Sequence, residues 1–131
     1  TIQGQILAIL EEQCSRRGMA VLLITHDLGV VARTAERVGV MYAGHLVEWG
    51  SVAEVLQNPA HPYTRGLMAC DPARVAAGTR LPVIAGTVPP LGAMPAGCPF
   101  HPRCPQATDI CKIEAPCQKS SGEHKVWCHL A

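Results

Sequence analysis

The chain has 131 residues, enough for one ordinary domain or a piece of a larger protein, and is 48% hydrophobic but only 4% aromatic. A net charge of +1 gives no sign of binding to nucleic acid or a membrane surface through charge alone. No apolar run approaches the ~18 residues that span a bilayer, and the first residues lack the basic and apolar regions of a secretory signal.

The chain opens at Thr1 in a helical pattern without an initiator Met, which predicts a piece of a longer protein. Thr1 can cap a helix running to about Arg17, with Ile2, Ile6, Leu7, Leu10 and Cys14 along one face. Arg16 and Arg17 suit the negative end of its dipole, and Gly18 the left-handed residue beyond. Met19 to Ile24 is then an unbroken apolar run, too short for a lone helix, and reads as a strand buried on both faces of a parallel sheet. Ligands of such sheets bind beyond the carboxyl ends of the strands, where Thr25, His26 and Asp27 fall. Asp27 can cap a second helix with Leu28, Val31, Ala32 and Ala35 on its apolar side.

From Val38 the period changes to that of strands. Val38 to Met41, a tight turn at Ala43-Gly44-His45, and Leu46 to Trp49 predict a hairpin. Ser51-Val-Ala-Glu54 is a capping box for a short helix ending at Asn58-Pro59. His61-Pro62 opens another, with Tyr63, Leu67 and Cys70 on one face and Pro62 at its first position. Beyond Asp71-Pro72 regular signals fade, and only Leu81 to Ile84 hints at a strand. Six prolines lie between residues 89 and 105, so this segment buries little apolar surface unaided and needs a partner surface or a cross-link.

Five of the seven cysteines fall between Cys98 and Cys128. An odd total and no secretory signal argue against a disulfide framework and for metal binding in a reducing compartment. The spacing of Cys98, Cys104, Cys111, Cys117 and Cys128 is wider than in standard zinc ribbons. Four thiolates hold an iron–sulfur cluster, which looser loops can wrap; one or two disulfides or free thiols are the competing reading. For His26, a boundary histidine making one structural hydrogen bond competes with a phosphate or water contact. Arg65 and Arg103 read as solvated or pairing residues. No Gly-x-x-x-x-Gly-Lys-Ser/Thr loop, Gly-x-Ser-x-Gly elbow or Gly-x-Gly-x-x-Gly turn occurs, so this stretch holds no complete catalytic constellation.

Two stretches carry a resemblance. Leu-Leu-Ile-Thr-His-Asp-Leu-Gly-Val-Val-Ala and Val-Met-Tyr-Ala-Gly-His-Leu-Val-Glu-Trp-Gly resemble the C-terminal part of an ABC transporter ATPase subunit. Asn-Pro-Ala-His-Pro-Tyr-Thr-Arg-Gly-Leu, Gly-Cys-Pro-Phe-His-Pro-Arg-Cys-Pro and the closing Cys-His-Leu resemble the dipeptide/oligopeptide (and nickel) importers in particular. The resemblance implies an α/β fold: the C-terminal part of a P-loop NTPase ABC nucleotide-binding domain over residues 1–58, then an irregular Cys/Pro-rich extension over 59–131. It implies that His26 is the H-loop histidine that contacts the ATP γ-phosphate and helps hold the attacking water, in a protein using ATP with Mg2+. The Walker A, Q-loop, signature and Walker B motifs would precede Thr1, leaving this stretch inactive alone. Some members carry a 4Fe-4S cluster; matching their pattern gives Cys98, Cys104, Cys111 and Cys128 as ligands, with Cys117 a spare thiol or substitute and zinc less favoured.

The implied partners are a second ATPase subunit, two transmembrane permease subunits and an extracytoplasmic peptide-binding protein. The implied place is the cytoplasmic face of the inner membrane, and the substrate is left open among dipeptide, oligopeptide and nickel. The alternative is a non-enzymatic metal-binding or interaction module centred on residues 73–131.

Overall fold

The computed structural model describes the chain except residues 1, 77, 79 and 91 and the side chain of Gln3. It has two compact units, residues 1–36 and 37–131. The fold is α/β with an antiparallel sheet. No helix among the described residues is long and apolar enough to cross a membrane.

In the first unit, α1 runs Ile2–Arg17 and ends at Gly18, whose φ of 63° meets the expected left-handed termination. The cap expected at Thr1 lies outside the described residues. Helix α2, Leu28–Thr34, starts as expected at Asp27, whose carboxylate accepts from Val30 N at 3.1 Å. Its buried residues are Val30 and Val31, and Ala32 is exposed, so the apolar side is turned from the one expected. The larger departure lies between the helices. Residues 19–24 form no strand, and Leu22 and Ile24 are 89% and 90% exposed. A strand buried on both faces takes its hydrogen bonds from parallel neighbours and its burial from helices above and below. The described sheet is antiparallel and drawn from residues 37–51 and 118–127, so this run has no ladder to join.

The second unit begins with the expected hairpin. β1 (Arg37–Tyr42) and β2 (His45–Ser51) pair antiparallel from Tyr42–His45 to Arg37–Ser51, with an irregularity at Val40/Met41. Ala43 and Gly44 both adopt positive φ, 48° and 82°, the two-residue turn whose twist matches paired strands. The capping box forms as expected: Ser51 Oγ accepts from Glu54 N at 3.2 Å, and Glu54 Oε2 accepts from Ser51 N at 3.0 Å, opening α3 (Val52–Gln57). Helix α4 (Pro62–Ala69) follows with Pro62 in its first turn.

The tail is more regular than its composition suggests. Leu81 to Ile84 makes no strand, but α5 (Asp109–Ile113), β3 (Gln118–Ser121) and β4 (His124–Trp127) are ordered elements. β4 pairs with β2, Glu48 opposite Val126 and Trp49 opposite Lys125, giving the strand order β1-β2-β4-β3. One sheet therefore spans the hairpin and the end of the tail. Over it lies an aromatic cluster in which Tyr42, Tyr63 and Phe100 meet at ring centroid distances of 4.8 to 5.3 Å in edge-on or tilted poses. Phe100 is 2% exposed and comes from the proline-rich loop itself. That loop buries its one aromatic in a core made by other segments, which is the partner surface its composition required.

Candidate functional site

Four of the five tail cysteines gather around one cavity. Cys98, Cys104, Cys111 and Cys128 line it together with His61, Pro62, Phe100, His101, His129 and Leu130. Its void of about 10 Å³ has room for one water-sized group. Cys117 is exposed and does not line it. Cys14 and Cys70 also lie elsewhere.

Each of the four arrives on a different local structure. Cys98 follows Gly97, and its N–H donates to Cys111 O at 2.8 Å, which joins the loop to α5. Gly97 has φ of 72°, and a Cβ there would collide with the Cys111 carbonyl oxygen and sit 2.8 Å from the Lys112 carbonyl carbon. Only glycine permits this approach. A 3-10 turn over His101–Arg103 carries the chain from Cys98 to Cys104. Cys111 sits in α5, and Cys128 follows β4. Arg103 Nε and Nη2 donate to the carbonyls of Ala85 and Ile84 at 2.8 and 2.9 Å, and the guanidinium lies over the Tyr42 ring, 5.8 Å from its centroid. The loop is thus pinned from both sides.

The sulfurs already meet donors. Backbone N–H groups of Phe100 and His101 face Cys98, and that of Gln106 faces Cys104. Leu130 N donates to Cys128 Sγ at 3.4 Å, and Thr108 Oγ1 is 3.4 Å from Cys111 Sγ. Burial pushes the Cys98 and Cys104 thiols above the ordinary thiol range, and the neighbouring Cys111 and Cys128 push the same way. Such groups are neutral thiols until a cation arrives to favour thiolates. Among the described residues no group of three or more His, Cys, Asp or Glu side chains is arranged to hold a metal ion. A single zinc draws its sulfurs to about 2.3 Å; here they ring a void.

Behind the cavity is a polar lock that the sequence reading did not single out. Glu48, on β2, is fully buried. Its Oε1 accepts from Ala60 N and faces His124 Nε2, each at 2.7 Å, while Oε2 accepts from His61 N at 3.0 Å. One carboxylate on β2 therefore holds two other segments, residues 60–61 and His124. His61, 1% exposed, caps α4 by accepting from Tyr63 N on Nδ1 at 3.0 Å. Burial holds its ring neutral, with the pKa lowered to about 4 although Glu48 pulls the other way. Asn58 to Thr64 read as a helix stop followed by a start. The missed signal was a carboxylate inside an otherwise apolar strand, since buried Glu is rarely found unpaired.

His26 lies in the first unit. It is exposed, at the bend before α2, where Asp27 N donates to Thr25 Oγ1 at 3.0 Å. The site residues expected from sequence thus fall into two groups, one per unit.

Residues 47–111 match the family described as the oligopeptide/dipeptide transporter C-terminal region. A peptide import ATP-binding protein of Brucella ovis is 47% identical over 130 residues, 95% of this chain and 38% of its own length. The dipeptide transport ATP-binding protein of Bacillus subtilis is 45% identical over 131 residues, 99% and 39%. The oligopeptide transport ATP-binding protein of Salmonella typhimurium is 42% identical over 121 residues, 92% and 36%. The chain spans about two fifths of the length of these curated relatives. With the match running through the buried Glu48, the His-Pro-Tyr segment and the first three cavity cysteines, the chain carries the C-terminal region of the oligopeptide/dipeptide transporter family.

Proposed function

We propose that the intact protein is the ATP-binding and hydrolysing subunit of an ABC importer that energises uptake of di- or oligopeptides. The observation that carries this reading is the similarity to peptide-transport ATP-binding proteins along nearly the whole chain, through the His26 segment as well as the tail. On this reading residues 1–58 complete a P-loop ATPase domain and residues 59–131 form the extension. Residues 19–24 then pair with parallel strands from the remainder of the protein, which accounts for an apolar run that is open here.

The exposure of His26, beside the Thr25–Asp27 turn at the start of α2, supports a phosphate contact. As the H-loop residue of a site using ATP and Mg2+, it would hydrogen-bond the γ-phosphate and orient the attacking water, a positioning and electrostatic role. A second ATPase subunit would complete the nucleotide sandwich. Two permease subunits and an extracytoplasmic binding protein would complete the importer at the cytoplasmic face of the inner membrane.

The four cavity cysteines fit a 4Fe-4S cluster in donor chemistry: four thiols, an apolar lining, and hydrogen bonds aimed at the sulfurs. The void is smaller than a cluster, so loading would part the sulfurs. A bound cluster supplies a cross-link across the proline-rich loop and a one-electron centre. Cys98, Cys104, Cys111 and Cys128 would hold it, and Cys117 would not.

The test uses the full-length protein. His26→Ala should remove most ATP turnover; unchanged turnover would sink the phosphate role. Cys98→Ser should abolish iron uptake and visible absorbance, and Cys117→Ser should leave both. Equal loss from the two would overturn the ligand set.

A further inference from the structure

Two of the buried cysteines are tied through their own backbones. Cys98 N donates to Cys111 O at 2.8 Å, and Gly97 packs so closely on the same stretch that a Cβ there would sit 2.9 Å from Ile113 N. A bond of that length puts the two Cα atoms about 5–6 Å apart, as between hydrogen-bonded residues of paired strands, and a disulfide spans roughly 4.4–6.8 Å. Both side chains border the same void of about 10 Å³, so their sulfurs approach by rotation of the side chains and not by movement of the backbone. Among the described residues no other two of the four cavity cysteines share a backbone hydrogen bond. Cys98 also borders a second, larger cavity of about 210 Å³, walled by Met94, Pro95, Pro99, Pro116 and Trp127 among others. Cys111 borders only the small void. A small solute entering the larger cavity therefore meets Cys98 first.

We propose that the metal-free chain closes a reversible disulfide between Cys98 and Cys111, with a low-molecular-weight disulfide of the glutathione class as oxidant. The inference stands on the thiols alone and does not rest on the cluster reading. The Cys98 sulfur, as thiolate, attacks one sulfur of the incoming disulfide; that S–S bond breaks, and one small thiolate leaves and takes up the proton that Cys98 gave. Cys111 then attacks the Cys98 sulfur, the mixed S–S bond breaks, and a second small thiolate leaves with the Cys111 proton. The two cysteines together lose two electrons, and the small disulfide is reduced to two thiols. The second step is intramolecular, so the backbone contact favours it over a lasting adduct. The product cross-links the proline-rich loop to α5. It also takes two of the four thiols from any cation, so the reduced cavity offers its full donor set and the oxidised cavity does not.

The experiment takes full-length protein, stripped of metal by a chelator and fully reduced, and incubates it with oxidised glutathione before thiol blocking and peptide mapping by tandem mass spectrometry. The exposed Cys117 is the reference for contact with the oxidant. The expected result is a Cys98–Cys111 link, reversed by dithiothreitol, with a glutathione adduct on Cys117. Cys111→Ser should replace the link with a glutathione adduct on Cys98, and Cys104→Ser should leave the link in place. An unlinked Cys98 once Cys117 is fully modified, or a Cys98 joined chiefly to Cys104 or Cys128, would overturn the inference. The wild-type map decides this even where a variant does not fold. Iron uptake is a separate readout: reduced wild type that takes up no iron ends the cluster reading, and the disulfide stands or falls on the map.

Discussion

Glu48→Ala offers the most direct test of what holds the tail to the hairpin. The carboxylate is fully buried and serves Ala60 N–H, His61 N–H and His124 Nε2 at 2.7, 3.0 and 2.7 Å. Removing it strands two backbone donors and one imidazole, and each buried polar group left unpaired costs about 1–3 kcal/mol. Water entering the vacated space and the partial exposure of His124 offset some of this, leaving a loss of about 3–5 kcal/mol, in the range found for breaking a buried pair. Trp49 and Trp127 are the two tryptophans of the chain and lie on β2 and β4, so their fluorescence reports this joint. With urea slopes of about 1–3 kcal/mol/M, the unfolding midpoint of the second unit should fall by roughly 2 M. Glu48→Gln keeps one accepting oxygen but turns an amide toward a donor, so it should lie between wild type and Glu48→Ala. A shift below about 0.5 M for Glu48→Ala would show that the carboxylate is not what joins these segments.

Two further outcomes concern local devices. Ser51→Ala should cost about 1 kcal/mol through loss of the cap. The Ser51 hydroxyl, then its N–H, hold the Glu54 carboxyl below its ordinary 4.5. An NMR titration of the variant should find it raised toward that value. The sign follows: this contribution is present above pH 4.5 and is lost as acid protonates the folded carboxylate. Equal Glu54 titration in both proteins would refute the reciprocal bond. Gly97→Ala forces a side chain onto the Cys111 carbonyl at positive φ, a strain of at least ~1–2 kcal/mol before the clash itself. In the reduced, metal-free chain, Cys117 should react fast with a thiol reagent and Cys98, Cys111 and Cys128 slowly; Gly97→Ala should speed the slow group. Unaltered kinetics would mean that the loop tolerates the clash.

Local structure was legible from residues alone. The cap at Asp27, the box at Ser51–Glu54, the turn at Ala43-Gly44 and the stop at Gly18 each depend on hydrogen bonds or dihedrals within a few residues, and short spacings encode them. The family was legible too, because His-Pro-Tyr and Cys-Pro-Phe-His-Pro-Arg-Cys are contiguous strings. The run from Met19 to Ile24 shows the limit of such reading: its apolar character suits a strand, but a strand exists only where neighbours supply its ladder, and no strand among the described residues pairs with it.

Tertiary structure alone decided which distant residues share a site. Pairing of β4 with β2 places His124 on Glu48, 76 positions away, and Glu48 in turn fixes the turn that carries His61. The same packing gathers Cys98, Cys104, Cys111 and Cys128 at one cavity and leaves Cys117 at the surface. Spacing along the chain left the role of Cys117 open, because long loops cost little more to close than short ones. Burial of Phe100 among Tyr42, Tyr63 and His61 draws the loop shut, and that contact exists only once the segments have met.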